Sequence, residues 1–371
     1  VNKQVLVIFG TRPEAIKMAP LVKELEQAPG LEPIVCVTAQ HRDMLDQVQR
    51  FFNIKAHIDL NIMKEGQSLY SLSADLLRGF EQVFREASYD LVLVHGDTTT
   101  ACMGALAAYY AKVPIGHVEA GLRTYDKYAP FPEEMNREWI GRMADLHFAP
   151  TSRSAENLTS ENRPDHVYVT GNTGIDAMKW TLQAPFEHPI QNKLQKDSRL
   201  LLMTMHRREN WGEPMKEVFE AVKRVIRKYP DIEVIYPVHP NPALQEVIAQ
   251  ELEGYERIHL TEPLGVVDLH HIMQRSYLVL TDSGGIQEEA PSLRKPVLVL
   301  RDKTERPEGI TAGTLMCVGT EQNTVQAGIE LLLTDKEAYE RMASAPNPFG
   351  DGTASCQIVH AIQQFFQAQN R

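Results

Sequence analysis

Along this chain, short and almost uninterrupted runs of aliphatic and β-branched residues alternate with longer stretches in which apolar positions recur every three or four residues. The first pattern marks strands buried on both faces, and the second marks amphipathic helices. Their alternation predicts parallel strands joined by crossover helices, an α/β fold. One series of strands is expected at 5–9, 34–38, 91–95, 115–118, 146–149 and 167–170. A second is expected at 200–204, 234–238, 258–260, 277–281, 297–300 and 315–318. The polar, proline-containing passage 182–198 separates the two and reads as a linker. The division is therefore 1–182 and 183–353, each a doubly wound, Rossmann-like domain. A final amphipathic helix within 354–371 is expected either to pack back across one of the two domains, the first being the one assigned, or to serve as a simple capping helix. In tandem sheets of this kind the carboxyl ends of the strands gather around a central cleft, where ligands bind.

At 371 residues the chain is long enough for two such cores. Its 38 Lys and Arg against 49 Asp and Glu leave a formal charge of −11, which argues against nucleic acid or an anionic membrane surface as partner. A small anionic ligand stays open, because a few cations in one cleft outweigh a distant acidic surface. Cys36, Cys102, Cys317 and Cys356 are scattered without a Cys-x-x-Cys pair and read as reduced thiols. The sequence enters a strand-like run at once, and no apolar stretch approaches the ~20 residues that span a bilayer. A cytoplasmic protein is expected.

The polar residues concentrate where strands end. LTDSGGIQEEAPSL leaves a strand through an Asp-Ser-Gly-Gly turn into a helix, so the amides of Ser283, Gly284 and Gly285 suit a diphosphate, with Glu289 further along suiting a ribose. An ordinary capped turn fits the same residues. FGTRPEAIK places Arg12 and Lys17 after the first strand, and HRREN places His206, Arg207 and Arg208 after the first strand of the second series. Either cluster suits phosphate, or simple surface ion pairs. HGDTTT, HVEAGLRT and PEEMNR bring Asp97, Glu119 and Glu133 to loop positions as candidate acids and bases, with helix capping as the competing role for Asp97 and Glu133. No complete Gly-x-Gly-x-x-Gly, P-loop or metal-ligand spacing occurs, so a nucleotide is expected as substrate, with no cofactor and no metal. His259, His270 and His271 read as structural.

The motifs FGTRPEAIKMAPL, TAQHRDMLDQV, DLNIM, LVHGDTTT, GHVEAGLRT, PEEMNR, GNTGIDA, HRREN, TDSGGIQEEAPSL and RPEGITAGT, in this order, resemble the non-hydrolysing UDP-N-acetylglucosamine 2-epimerases of bacteria, across essentially the whole chain. The resemblance implies a GT-B-like fold, usually as a homodimer. It implies reversible conversion of UDP-N-acetylglucosamine to UDP-N-acetylmannosamine by elimination of UDP through 2-acetamidoglucal and re-addition, supplying cell-surface polysaccharide synthesis. Carried onto matching positions, Asp97, Glu119, Glu133 and His206 form the catalytic set. Arg12, Ser283, Gly284, Gly285 and Glu289 match UDP-binding positions, and Lys17, Arg137 and Arg306 match cleft positions. Gln40, Gln67, Glu133, Arg207 and His239 match an activating second UDP-N-acetylglucosamine site. Asp43, Gly66 and Arg294 depart from relatives that carry Gln, Arg and Gly there; the first two weaken the expected pull on an anionic activator. A hydrolysing epimerase, a GT-B glycosyltransferase and an inert nucleotide-sugar binder are the competing readings.

Overall fold

In the computed structural model the described residues are 2–38, 42–62, 64, 66–162, 165–238 and 241–369. They divide into two compact units, Val1–Ala177 with Phe349–Arg371, and Met178–Pro348. The first unit holds β1 (Lys3–Phe9), β2 (Leu31–Val37), β3 (Ile58–Asp59), β4 (Leu91–His95), β5 (Ile115–Val118), β6 (Leu146–Ala149) and β7 (Val167–Val169). The second holds β8 (Arg199–Thr204), β9 (Ile232–Pro237), β10 (Ile258–Thr261), β11 (Leu278–Thr281), β12 (Val297–Val299) and β13 (Leu315–Cys317). All pairings are parallel, in the orders β3-β2-β1-β4-β5-β6-β7 and β10-β9-β8-β11-β12-β13. Both are Rossmann-like orders, with the reversal of winding beside β1 in one sheet and beside β8 in the other.

Burial explains the unbroken apolar runs. Val5 to Phe9 and Leu91 to Val94 are fully inaccessible, because helices cover both faces of the first sheet. Leu76, Phe80, Ala101, Ala105 and Ala108 pack with Leu6, Ile8 and Val92 in one core. Each of the Leu, Ile, Val and Phe side chains contributes about 1.5–3 kcal/mol when fully buried, and each alanine methyl about 0.8 kcal/mol or less. In the second unit Phe219, Val222 and Tyr236 pack on one face of the sheet, and Ile235, Val279 and Ile286 on the other. The helix Ala354–Gln369 belongs to the first unit and packs against the helix Arg12–Gln27. Its first turn is held by Asp176, whose carboxylate accepts from the Ala354 and Ser355 amides at 3.1 and 2.6 Å.

The expected strands are all present, and β3 is additional; two residues are too short to show a period. The boundaries lie at 177/178 and 348/349 rather than 182/183 and 353/354, because a helix, Thr173–Thr181, carries the chain out of the first unit before the polar passage begins. That passage is itself ordered around a short 3₁₀ turn at Pro189–Asn192. Cys36 and Cys102 are buried, Cys317 is half-buried and Cys356 exposed, all as free thiols. No helix among the described residues is long and apolar enough to cross a membrane.

Arg294 ends the 3₁₀ turn Ala290–Leu293 with φ +57°, the left-handed region that glycine enters at least cost. Removing the Cβ clash recovers more than the added freedom of the unfolded glycine costs. Arg294→Gly is expected to raise stability by about 0.5–1 kcal/mol in urea unfolding; a loss would contradict this account of the turn.

Candidate active site

At the switch point of the first sheet, β1 runs into a helix start whose groups satisfy one another. The helix Arg12–Gln27 begins with a capping box: Thr11 Oγ1 accepts from the Glu14 amide, and Glu14 accepts from the Thr11 amide at 2.8 Å. The Glu14 carboxyl also takes the Gly10 amide at 3.1 Å and, from the loop after β4, the Thr98 hydroxyl at 2.7 Å. Burial pushes Glu14 above its usual range despite these donors. Gly10 is required by packing: a Cβ there would lie 2.1 Å from Thr38 Oγ1 and 2.7 Å from Thr100 Oγ1. Arg12 and Lys17 project from the same helix. Lys17 pairs with Glu119, which follows β5 in the left-handed region at φ +63°. Asn172 Nδ2 also donates to Glu119, at 3.2 Å, and His95 Nε2 lies 3.7 Å away.

Asp97 ends the loop after β4, where Arg137 meets its carboxylate at 2.6 Å. Thr98, not Asp97, caps the following helix by accepting from the Ala101 amide at 3.0 Å, so the Asp97 side chain is left for other work. The helix Glu133–Met143 presents Glu133 and Arg137 to this group and fastens itself through Asn136, whose Nδ2 donates to the Asp97 carbonyl at 2.8 Å. Glu134 is structural: one carboxylate oxygen accepts the Thr124 and Tyr125 amides, each at 2.8 Å. Burial lifts the Asp97 carboxyl from 3.8 to about 6 against the pull of Arg137, and the charges of Glu119 and Glu133 push the same way. Burial also lowers His95 to about 4, so its imidazole is neutral beside Glu119.

In the second sheet the switch point lies between β8 and β11, whose ends are tied by Thr204 and Thr281 hydroxyls 2.6 Å apart. The Ser283 amide is already taken by Thr281 Oγ1 at 2.9 Å, which corrects its expected role as a free phosphate donor. Its hydroxyl makes no cap bond. The Gly284 and Gly285 amides stand in the first turn of the helix Gly284–Glu289, where the helix supplies no acceptor. Neither glycine is demanded by packing: a Cβ on Gly284 would first meet Arg306 at 3.4 Å, and one on Gly285 would meet Glu289 at 4.0 Å. The room beside them admits a ligand. Arg306, paired with Glu288, brings a cation to the turn. Glu289 ends the helix with its carboxylate 3.4 Å from His270 Nε2, and Thr181 holds the other ring nitrogen at 2.7 Å. His206, Thr204, Val238, Leu264, Ser283 and Ile286 line a pocket of about 210 Å³.

Asp282 was not among the expected residues. It is fully buried between the turn and the HRREN loop, and its oxygens accept the Arg207 amide at 3.0 Å and Asn210 Nδ2 at 2.9 Å. His206 Nδ1 lies 3.0 Å from it. Burial pushes its carboxyl up, but these donors reverse the effect and hold it below the usual range. Of the residues implied for a second nucleotide-sugar site, Gln40 and His239 lie outside the described residues, as does the Asp43 side chain. Gln67 donates to Asp75 at 2.9 Å, and Arg207 pairs with Glu305 at 3.3 Å. Among the described residues no cluster of three or more His, Cys, Asp or Glu has the arrangement to hold a metal ion.

Comparison with known proteins bears on these two groups. A family model described as UDP-N-acetylglucosamine 2-epimerase matches residues 23–363. A UDP-N-acetylglucosamine 2-epimerase of Bacillus subtilis is 51% identical over 360 residues, 97% of this chain and 94% of that protein. An S. aureus protein solved with UDP has a TM-score of 0.89 at 52% identity, over 98% of this chain and 97% of that one. A UDP-GlcNAc 2-epimerase from Neisseria meningitidis, bound to UDP-GlcNAc, has a TM-score of 0.87 at 46% identity, over 97% of this chain and 100% of that one.

Because its pKa is raised, Asp97 contributes stability that is full below about 4 and lost as pH rises through about 6, a difference of up to about 3 kcal/mol. Carboxyl-carbon NMR is expected to show Asp97 titrating near 6, and Asp97→Asn to remove that component from the pH dependence of unfolding; a midpoint near 4 would contradict the electrostatic picture.

Proposed function

The chain belongs to the UDP-N-acetylglucosamine 2-epimerase family, and we propose that it interconverts UDP-N-acetylglucosamine and UDP-N-acetylmannosamine reversibly, without hydrolysis. A base takes the proton on sugar carbon 2, the electron pair forms the C1–C2 double bond of 2-acetamidoglucal, and the C1–O bond breaks to release UDP. Re-addition of the UDP oxygen at carbon 1, with protonation of carbon 2 from the opposite face, gives the epimer. No redox cofactor enters this balance.

The observation that carries this reading is the Asp97 group. A carboxyl raised to about 6, beside Glu119 and Glu133 and steered by Arg137 and Lys17, is matched to proton transfer near neutrality. Carbon-bound protons are weak acids, so expulsion of the leaving group must be assisted. The Gly284 and Gly285 amides, Arg306 and Arg12 are assigned to UDP, and one preorganised donor of this kind contributes about 3–4 kcal/mol. Glu289 is assigned to the ribose, and His206 to acid–base work on the reacting sugar nucleotide. The exposed Tyr110, which lines a groove with Leu77, Phe84 and Ala107 and with the charged Arg78, Glu81 and Arg85, suits the homodimer that the sequence resemblance implies. Work on a nucleotide sugar fits a cytoplasmic enzyme supplying N-acetylmannosamine to surface polysaccharides.

NMR of the protein with UDP-N-acetylglucosamine in deuterated water, without NAD, metal or acceptor, is expected to show UDP-N-acetylmannosamine deuterated at carbon 2 in a stable mixture with substrate. Free N-acetylmannosamine with UDP would contradict the non-hydrolysing assignment, and no turnover would contradict the epimerase. Asp97→Asn and His206→Ala are each expected to lower kcat by about 10²-fold or more while remaining folded. Arg12→Ala is expected to weaken UDP binding about tenfold or more in calorimetry; unchanged affinity would remove it from the site.

A further inference from the structure

Asp282 has no part in the chemistry above, yet its buried carboxylate gathers four donors from the neighbouring HRREN loop. The His206 amide reaches both oxygens at 3.2 and 3.1 Å, the Arg207 amide lies at 3.0 Å and Asn210 Nδ2 at 2.9 Å. The fourth is the imidazole of His206, with Nδ1 3.0 Å from Oδ1. The first three tie the loop to Asp282. The fourth has a chemical consequence. An ionised carboxylate only accepts, so the nitrogen facing it must carry a proton. In the neutral ring that proton sits on Nδ1, which leaves the Nε2 lone pair free; in the imidazolium both nitrogens carry protons, and Nε2 is the one that gives its proton up.

The ring is otherwise open. Its side chain is 45% exposed, and it lines the same pocket as Ser283, the residue that follows Asp282 in the chain. A single residue thus joins the imidazole to the start of the Ser-Gly-Gly turn. We propose that Asp282 is a positioning residue for the epimerisation: it fixes the tautomer and orientation of His206, so that Nε2 is the nitrogen presented to the bound sugar nucleotide. A carboxylate holding one face of an imidazole so that the other works on substrate is a recurrent solution, because the wrong tautomer offers a proton where a lone pair is needed. This inference rests on the catalytic reading of His206.

The test begins with the unmodified full-length protein, labelled with ¹⁵N in histidine. Long-range ¹H–¹⁵N correlation, with His206 assigned by the loss of its signals in His206→Ala, is expected to show a protonated Nδ1 and an unprotonated Nε2 in the neutral ring. The opposite pattern overturns the proposal, and it does so whether or not Asp282→Asn folds. In the second arm, Asp282→Asn is expected to lower kcat by about 10–10³-fold, with KM and the Kd for UDP within about threefold of the parent, and to mix the His206 tautomers. A purely structural residue would lose UDP affinity together with kcat, without a change of tautomer; that result overturns the proposal. Unaltered turnover by Asp282→Asn beside an inactive His206→Ala overturns it alone. Full turnover by His206→Ala overturns the catalytic reading of His206 and the role of Asp282 with it.

Discussion

The reversal of strand order beside the first strand of each sheet is the constraint on which the site depends. Parallel strands need crossovers, and where successive crossovers leave to opposite sides, two adjacent loops part and leave a crevice that no helix fills. In the first unit those loops carry Arg12 and Asp97, stitched by the bond from Thr98 to Glu14; in the second they carry His206 and Asp282, stitched by Thr204 and Thr281. The polar groups collect there because elsewhere along β1, β4, β8 and β11 the sheet is sealed in aliphatic side chains.

Burial then determines what the charges can do. A carboxylate withdrawn from water is costly unless donors or cations compensate, and the two principal aspartates resolve that cost in opposite ways. Asp282, with backbone amides, Asn210 and His206 around it, stays ionised and holds its loop. Asp97, where the cations of Arg137 and Lys17 do not outweigh burial and two further carboxylates, is left poised near neutrality. The first arrangement makes a fixed frame, and the second makes a group able to exchange a proton under ordinary conditions.

Most of the framework was legible because parallel strands buried on both faces write themselves as aliphatic runs, and because the polar loops follow those runs directly. β3 was invisible because Ile58 and Asp59 form no period. The Ser283 amide looked free because nothing in the local pattern shows that the Thr281 hydroxyl turns back to take it. Asp282 read as a turn residue, since its imidazole partner lies 76 positions earlier and the contact exists only once β8 and β11 are neighbours. Its place between Thr281 and the Ser-Gly-Gly turn was the one available signal. Whether Asp97 caps the following helix was not readable from the sequence either; the Thr98 side chain takes that place.

The central claim is that the glycosidic C–O bond to UDP breaks and re-forms during each inversion at carbon 2. Positional isotope exchange examines that bond directly. With UDP-N-acetylglucosamine carrying ¹⁸O in the bridge between the anomeric carbon and the β-phosphorus, the recovered sugar nucleotides are predicted to show the label scrambled into the non-bridging oxygens of the β-phosphate, as epimerisation proceeds. Inversion at carbon 2 with the label still wholly in the bridge would contradict elimination of UDP and with it the roles assigned to both switch-point groups.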